Sequence, residues 1–251
     1  MPSNKNASKS KKTPPREAPQ KPSNRPAPQA EAVPAAEANV RHPLQNRWAL
    51  WYLKADRNKE WEDCLKQISV FDTVEDFWAL VNHIQTATGL HWGSDYYLFK
   101  EGIKPMWEDE HNVKGGRWLV VVDKQKRHQL LDRYWQELLL AIVGEQFEDM
   151  GEHICGAVVN VRQKGDKVSL WTKDSQADNV NTRIGYILKS KLRLPEAEPL
   201  RYEVHKDSSA RTSSMVKPRI LLQAKKEKEL KEAKEAKEPR EHKKSSEKDT
   251  G

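Results

Sequence analysis

Residues 156–172 read Gly-Ala-Val-Val-Asn-Val-Arg-Gln-Lys-Gly-Asp-Lys-Val-Ser-Leu-Trp-Thr, and this stretch is the best indicator of the fold. Two strand-like runs flank the polar segment 163–166, a pattern typical of a β-hairpin. If the turn places Arg162 opposite Lys167, side chains alternate between the two faces of the hairpin. The core face then carries Val159, Val161, Val168 and Leu170.

The same alternation places a different group of side chains on the other face of the hairpin. Arg162, Lys167, Ser169 and Trp171 share that face, and Lys164 lies at the tip. Cations beside an indole ring can hold an anionic ligand that carries an aromatic group, so this face is a candidate binding site. The alternative is an ordinary solvated hairpin, and spacing alone favours it.

Further strands and three helices surround this hairpin in the sequence. Apolar runs predict strands at about 48–53, 96–100, 117–122, 154–162, 167–172 and 201–205. Apolar residues at helical spacing predict helices over about 74–84, 127–143 and 179–192. Asp72 and Glu75 resemble a capping box at the start of the first helix. This order predicts an α+β domain, in which a curved antiparallel sheet carries helices over one face.

Composition separates one folded domain from two tails. Hydrophobic residues make up only 36% of the chain and charged residues 32%, which indicates that part of it does not pack. Proline-rich residues 1–40 are predicted to form a disordered basic tail, and Lys/Glu-rich residues 221–251 a second disordered tail. One domain of ordinary size remains, over residues 41–220.

The net charge of +7 belongs to the ends of the chain. Residues 1–40 hold 7 basic against 3 acidic residues, and residues 206–251 hold 14 against 9. Residues 41–205 hold 23 against 25, a net charge of −2. A long duplex requires many spread-out cations. The near-neutral domain therefore suits a small charged ligand better than a general nucleic-acid surface.

The two cysteines and the apolar segments exclude several protein classes. Cys64 and Cys155 are far apart and have no C-x-x-C spacing, which argues against a structural zinc site or a disulfide framework. No apolar run has transmembrane length, and the N-terminus has no apolar signal segment. We therefore predict a soluble intracellular protein without a metal or a cofactor.

Two of the nine tryptophans stand among charged residues. Trp61 lies within Asn58–Asp63, and Trp107 within Met106–Glu110. A large apolar ring in such a loop often serves a ligand, although it can also plug the underside of the loop. Two electron-rich indoles suit a positively charged purine, and Glu108 could accept hydrogen bonds from the edge of a guanine.

An enzyme is the main competing hypothesis. The run from Glu108 to His111, which includes Asp109 and Glu110, could bind a metal, and the Arg/Lys cluster could help to hydrolyse phosphates. However, no second cluster offers a nucleophile or a base. We therefore predict no catalytic residue and read the acidic run as a solvated loop.

Four segments closely resemble the eukaryotic translation initiation factor 4E family. They are residues 42–51, 71–78, 105–110 and 156–167. The resemblance covers about 41–220, which would make this part a cap-binding domain. It implies an eight-stranded curved antiparallel sheet that is backed by three helices on its convex face. The slot for the 7-methylguanosine cap of messenger RNA would lie on the concave face.

The resemblance also assigns site residues. Those implied for the base are Trp61 and Trp107, which sandwich it, Glu108, which reads its edge, and Trp171, which contacts the N7-methyl group. Those implied for the phosphates are Arg162 and Lys167, supported by Arg117 and Lys164. Spacing alone does not indicate that Trp61 and Trp107, which are 46 residues apart in the chain, face each other.

A second surface follows from the resemblance alone. In the family, a helix carrying Tyr-x-x-x-x-Leu-hydrophobic docks on the convex side. It comes from the scaffold subunit of the initiation complex or from inhibitory binding proteins. The matching positions here are His42, Pro43, Val74, Trp78, Glu137 and Leu140. Helical pattern alone predicts instead that Trp78 is a core residue. Gln136 departs from the family, which usually has an apolar residue there.

The implied function is to bind the cap and recruit the scaffold for cap-dependent translation, as a monomer within a larger complex. The implied location is the cytoplasm, with the nucleus as a second location to consider. Because of Gln136, a cap-binding repressor that does not recruit the scaffold is the alternative. Ser214 matches a regulatory phosphorylatable serine, and an unmodified tail serine is its alternative. Acceptance of trimethylguanosine caps stays open, and Trp92 has no functional account.

Overall fold

The computed structural model describes residues 40–54, 56, 58–209 and 217–223, which include eight β-strands. In chain order they are β1 (Pro43–Lys54), β2 (Leu65–Thr73), β3 (Ser94–Lys100), β4 (Gly116–Val122), β5 (Ile154–Asn160), β6 (Asp166–Thr172), β7 (Leu200–Val204) and β8 (Ile220–Leu222). They form one curved antiparallel sheet in the order β2-β1-β3-β5-β6-β4-β7-β8. The predicted fold class is therefore confirmed.

The two outermost strands were not predicted from the sequence. β2 is an edge strand in which only Phe71 and Thr73 are buried, so its sequence lacks a run of buried apolar residues. β8 has only three residues and lies at the opposite edge. It extends to Leu222, two residues beyond the predicted end of the domain. The remainder of the two predicted tails, apart from Val40 and Gln223, lies outside the described residues, as does Ser214.

Three long helices accompany the sheet, as predicted. The helices of the described residues are α1 (Trp61–Cys64), α2 (Val74–His83), α3 (Arg127–Val143), α4 (Asp178–Lys191) and α5 (His205–Ser209). Short 3-10 turns lie at Ala87–Gly89, Lys124–Lys126 and Glu148–His153. Within these described ranges, no helix has both the length and the apolarity that crossing a membrane requires.

The start of α2 differs from the predicted capping box. Thr73, not Asp72, is the N-cap residue: its hydroxyl accepts a hydrogen bond from the Asp76 backbone N–H (3.2 Å) and donates to the Asp76 carboxylate (2.9 Å). Glu75 bonds to His42 instead. The predicted pair is therefore one residue too early, because β2 continues to Thr73 before the helix begins.

The two faces of the sheet bury different side chains. One face and the three long helices share the main core, which includes Trp48, Leu98, Trp118, Val159, Leu170 and Tyr202 from the sheet. The other face carries a smaller cluster that includes Leu53, Tyr97, Phe99, Val158 and Trp171. Neighbouring residues of a strand point to opposite faces, so the two clusters lie on opposite sides of the sheet. The three long helices pack on the side of the main core. The second, concave side stays available for a ligand.

The β5–β6 hairpin has a different register from the one predicted. Asn160, not Arg162, lies opposite Lys167, and Val159 lies opposite Val168. The predicted register is wrong by two residues, because Asp166 is a buried strand residue and not part of the turn. A shift of two residues preserves the alternation of faces. The predicted core residues of the hairpin are accordingly all buried in the main core.

A buried ion pair explains why Asp166 belongs to the sheet. Its carboxylate accepts two hydrogen bonds from Arg127 at the start of α3 (2.7 and 2.8 Å) and one from the Arg162 backbone N–H (2.8 Å). Arg127 also donates to the carbonyl oxygens of Ala87 (3.4 Å) and Thr88 (3.1 Å). One carboxylate thus joins the hairpin turn, α3 and the 3-10 turn before β3.

Loss of this carboxylate should destabilise the fold strongly. Asp166→Ala would leave Arg127, whose side chain is only 6% exposed, as an unpaired buried charge. We expect the free energy of unfolding, measured by urea denaturation, to fall by about 3–5 kcal/mol. The matched control is Arg183→Gln, because its ion pairs with Glu148 and Asp149 are exposed. That variant should lose at most about 1 kcal/mol, and equal losses would contradict the role of burial.

Candidate ligand-binding site

A pocket of about 800 Å³ opens on the concave face of the sheet. Six of the eight residues predicted for the ligand line its wall, namely Trp61, Trp107, Glu108, Arg117, Arg162 and Trp171. Lys167 and Lys164 are not part of the wall. The pocket thus brings together residues from α1, the loop between β3 and β4, and strands β4 and β6, along with the turn that follows β5.

Trp61 forms one side of the pocket. It is the first residue of the short helix α1, and its side chain is 42% exposed. Its ring makes an edge-to-face contact with Tyr97 on β3, with centroids 6.4 Å apart and planes at 89°. This geometry is favourable for aromatic pairs, and it fixes the orientation of an otherwise solvated indole.

Trp107 lies in a loop that its own hydrogen bonds hold rigid. Asn112 is fully buried, and its side-chain amide donates to the carbonyl oxygens of Lys104 (2.9 Å) and Met106 (2.8 Å). The Asp109 carboxylate accepts from the Lys104 backbone N–H (3.0 Å). These bonds cross the loop on both sides of Trp107, whose ring is 38% exposed. Asn112 was not predicted from the sequence, because it resembles any polar loop residue.

The loop returns to the sheet through two glycines. A side chain on Gly115 would place its Cβ 2.0 Å from the Thr172 carbonyl oxygen, and one on Gly116 would lie 2.6 Å from that of Glu203. With a larger residue at either position, the backbone could not approach β6 at Thr172 and β7 at Glu203 closely enough to stay paired. The pair therefore lets the Trp107 loop meet β4 between β6 and β7.

The acidic run beside Trp107 includes a residue, Asp109, that stabilises the loop through hydrogen bonds. Asp109 accepts hydrogen bonds from the His111 backbone N–H (2.9 Å), and its carboxylate lies 3.0 Å from His111 Nδ1. Partial burial acts against its charge, but the hydrogen bonds from His111 and Lys104 hold the pKa of Asp109 below its ordinary value. Within the described residues, no three His, Cys, Asp or Glu side chains are arranged to hold a metal ion.

Trp171 forms the floor of the pocket. Its ring is only 8% exposed and contacts Phe99 edge-to-face, with centroids 5.4 Å apart. The centroid of the His205 ring lies 4.0 Å from that of the Trp171 ring. Burial, and then the charge of Arg117, lower the pKa of His205 to about 3. His205 is therefore neutral near pH 7, and sequence reasoning missed it because its contacts are all long-range.

Arg162 is held in place by a buried carboxylate. Its guanidinium forms a bidentate pair with Asp95 on β3 (2.5 and 2.9 Å), whose side chain is 3% exposed. Burial acts against the charge of the guanidinium, but the hydrogen bonds and charge of Asp95 raise the pKa of Arg162. Asp95 also accepts from the Tyr97 hydroxyl (3.0 Å). The only sequence signal for Asp95 is an acidic residue that begins an apolar strand.

The remaining predicted cations surround the same end of the pocket. Arg117 pairs with buried Glu203 (3.1 Å) and lines the wall. Lys167 lies opposite Asn160, which also lines it. Burial, and then the charge of Arg117, lower the pKa of Lys167. Lys164 is exposed in the hairpin turn.

The predicted partner residues lie on the helical side and at the start of β1. The Val74 N–H donates to the His42 carbonyl oxygen (2.9 Å), and the Glu75 carboxylate accepts from the His42 N–H (3.0 Å). The hydrogen bond with the His42 side chain lowers the pKa of Glu75 to about 2. The start of β1 is thereby joined to α2. Other predicted partner residues with partial or full exposure are Pro43, Glu137 and Leu140.

Trp78 on α2 is not a core residue. Its ring is 38% exposed and makes an edge contact with Phe77, at 5.2 Å between centroids. The interpretation from helical pattern alone is therefore wrong. Phe77 takes the buried position, and Trp78 and Val74, which is 37% exposed, form an apolar outer surface. Gln136 on α3 is also exposed.

A curved open sheet with a tryptophan-lined, charged pocket on its concave side defines a class of proteins that bind an aromatic, charged ligand. The model of the family Eukaryotic initiation factor 4E matches residues 43–220. The protein belongs to this family.

Individual relatives agree with the family assignment. Eukaryotic translation initiation factor 4E-3 of Caenorhabditis elegans is 75% identical over 199 residues, which cover 78% of this chain and 79% of the relative. The structure of Ascaris suum eIF4E-3 with the m2,2,7G cap has 78% identity and a TM-score of 0.69, covering 73% of this chain and 99% of that one. C. elegans eIF4E-3 with the 4E-binding protein Mextli and a cap analog has 75% identity and a TM-score of 0.68, covering 73% and 100%.

The neutral state of His205 predicts a pH dependence of stability. Its pKa is about 3 in the folded protein against an ordinary value of 6.5, so the unfolded chain binds one more proton between these values. The contribution to stability is complete above pH 6.5 and is lost as the pH falls. Between pH 7 and pH 5 the free energy of unfolding should drop by about 2 kcal/mol through this residue.

Urea denaturation of His205→Gln at the two pH values tests this expectation. The variant should show a drop smaller by about 2 kcal/mol than that of the unsubstituted protein. His83→Gln is the control, because that histidine is exposed. An unchanged pH dependence in His205→Gln would contradict the assignment.

Proposed function

We propose that this protein binds the 7-methylguanosine cap of messenger RNA in the concave pocket and acts in translation initiation in the cytoplasm. The observation that carries the proposal is that Trp61, Trp107 and Glu108 line one pocket together with Arg162. A cap combines a cationic aromatic base with a chain of phosphates. The family membership and the cap complexes of the relatives support the same ligand.

The charges of the pocket match the two ends of this ligand. Acidic residues adjoin the tryptophans in the wall, namely Glu60, Glu62, Asp63 and Glu108. N7-methylation gives the guanine a positive charge, which both the indole faces and these carboxylates attract. Arg117 and Arg162 in the wall, with Lys167 beside them, attract the phosphates. A ligand of uniform charge would meet repulsion at one end.

Arg162 is oriented for phosphate binding. Asp95 occupies one donor on each terminal nitrogen, and the carbonyl oxygens of Ser94 (3.4 Å) and Val161 (3.0 Å) share Nη1. A guanidinium has five N–H donors, so Nε and one Nη2 hydrogen remain for a ligand. Because the side chain is already fixed, phosphate binding costs little additional conformational entropy.

Glu108 provides selection of guanine over other purines. Stacking between two indoles is tolerant of base identity, because every base has an aromatic face. An ionised carboxylate accepts hydrogen bonds only, and guanine presents N1–H and an exocyclic amine on the same edge. Adenine presents an acceptor at N1 and would leave the carboxylate poorly satisfied. Glu108 is exposed at the pocket wall, where this edge would arrive.

We extend the proposal to trimethylguanosine caps. The 78%-identical Ascaris suum relative has been solved with the m2,2,7G cap. Two methyl groups on the exocyclic amine remove its donors but leave N1–H for Glu108 and the positive charge for the indoles. Loss of one hydrogen bond to a charged group corresponds to roughly tenfold weaker binding.

Titrations that follow tryptophan fluorescence test the pocket. 7-Methyl-GTP should bind about 30-fold more tightly than GTP, because only the methylated base adds a cation–π contribution of about 2 kcal/mol. The trimethylated nucleotide should fall between the two. Equal curves for 7-methyl-GTP and GTP would overturn the proposal.

Two variants localise the discrimination. Trp107→Ala should lose most of the preference for the methylated nucleotide. Trp78→Ala is the matched control, because its ring has the same 38% exposure but lies on the helical side. It should retain the full preference.

We also propose that the surface formed by His42, Pro43, Val74, Trp78, Glu137 and Leu140 binds a helix with the Tyr-x-x-x-x-Leu-hydrophobic pattern. Exposed Val74 and Trp78 offer apolar contacts to such a helix. The complex of the C. elegans relative with Mextli supports a partner site in this family. The role of the protein then depends on whether the scaffold subunit is one of its partners.

A labelled scaffold peptide with this pattern tests the partner surface. Trp78→Ala should weaken its binding about 30-fold, as expected for an aromatic hot spot of about 2 kcal/mol. Trp107→Ala should leave peptide binding unchanged. If the unsubstituted protein binds 7-methyl-GTP but not the peptide, the repressor alternative raised by Gln136 replaces the proposed role in recruitment.

A further inference from the structure

Trp92 is the most exposed tryptophan of the described residues, with 48% of its surface accessible. It lies between the 3-10 turn at Ala87–Gly89 and the first residue of β3, Ser94. Neither the pocket wall nor the proposed partner surface includes it. An exposed indole therefore stands outside both proposed sites.

The position of this indole is fixed from one side. The Arg127 guanidinium lies over the ring at 4.3 Å from its centroid, a cation–π contact. Arg127 is itself immobilised by Asp166 and by the carbonyl oxygens of Ala87 and Thr88. A ring supported on one face and exposed elsewhere is preorganised to receive a second flat group.

Trp92 lies next to the phosphate end of the pocket. The Gly93 N–H donates to the Val161 carbonyl oxygen (2.9 Å), and the Ser94 carbonyl oxygen accepts from Arg162 Nη1 (3.4 Å). Only Gly93 thus lies between Trp92 and Ser94, which contacts Arg162, the main phosphate-binding residue proposed above. A chain that leaves Arg162 at this end of the sheet meets Trp92 within a short distance.

Two loops bring positive charge to this end of the sheet. The turn after β5 adjoins the end of β4, since Val122 pairs with Asp166, and β4 leads into the 124–126 turn. The exposed lysines on these loops are Lys124, Lys126 and Lys164. Asp95 and Asp166 are already paired with arginines, and no carboxylate of the described residues pairs with any of the three lysines. Two nearby acids lack an arginine partner: Asp123 caps its own turn, and Asp132 accepts hydrogen bonds from Thr88.

We propose that Trp92 is a stacking platform for a base of the messenger RNA just downstream of the cap, with the three lysines binding its phosphates. This proposal rests on the proposed cap binding and extends that site. Aromatic rings among spread cations are the general arrangement for single-stranded nucleic acid. An apolar protein segment would gain a single ring here and would have to desolvate three lysines, so the charge favours RNA.

The test compares 7-methyl-GTP with a capped, unstructured RNA of about ten nucleotides, a length within the range of single-strand binding sites. Anisotropy of the labelled RNA gives its affinity, and competition gives that of 7-methyl-GTP. The ratio of the two affinities measures the contribution of the RNA body. The unsubstituted protein should bind the capped RNA at least about tenfold more tightly than 7-methyl-GTP, because stacking of one base alone corresponds to about tenfold.

Variants at Trp92 should change this ratio alone. Trp92→Ala should lower it about tenfold, to the part that the lysines contribute, whereas Trp92→Phe should retain most of it, because a phenyl ring still offers a stacking face. The matched control is Tyr186→Ala, which removes a 61% exposed aromatic ring from α4 and should leave the ratio unchanged. Because only the ratio is compared, a general loss of stability in Trp92→Ala does not obscure the result.

Salt dependence provides an independent readout. In Lys124→Gln/Lys126→Gln, the slope of log affinity against log salt should fall by roughly 1.4, about 0.7 for each lysine, for the capped RNA and stay unchanged for 7-methyl-GTP. An unchanged affinity ratio in Trp92→Ala would overturn the proposal, as would loss of a protein partner with normal RNA binding. Failure of the cap site itself would show differently, as equal affinities of the unsubstituted protein for 7-methyl-GTP and GTP.

Discussion

The carboxylate of Asp166 is the single group on which most of this architecture depends. It neutralises Arg127, fixes the backbone of Arg162, and so sets both the register of the β5–β6 hairpin and the start of α3. Through Arg127 its influence reaches the support of Trp92. Water would otherwise solvate these charges, so their burial is favourable only as a complete network. The end of the pocket that holds Arg162 is therefore joined to the core structure.

The fold was largely predictable because it follows from alternation and helical spacing. These periods are local, and the period of two tolerates a register error of two residues, so the faces of the hairpin were correct although its pairing was not. The register itself was not predictable. Asp166 follows glycine and resembles a turn residue, and only Arg127, 39 positions away, makes it part of a strand. The edge strands β2 and β8 were missed because few of their side chains are buried.

The pocket was predictable in part. Charged surroundings marked Trp61 and Trp107 as unusual, and the family resemblance supplied the expectation that they share a site. The groups that hold the pocket in shape were not found from the sequence. Asp95, Asn112 and His205 act through partners that the fold brings near them, and none belongs to a recognisable local pattern. Sequence thus indicated which side chains a ligand would meet more readily than which side chains position them.

The division of the sheet into a helical face and an open face has a further consequence. Trp107 and Trp78 stand on opposite sides of one layer of strands, and no residue of the pocket wall belongs to the helical surface. Occupation of one side therefore does not sterically block occupation of the other. Such a protein can act as an adaptor whose two affinities are free to evolve separately. A small molecule that competes on one side would leave binding on the other side intact, so inhibition would be selective by geometry.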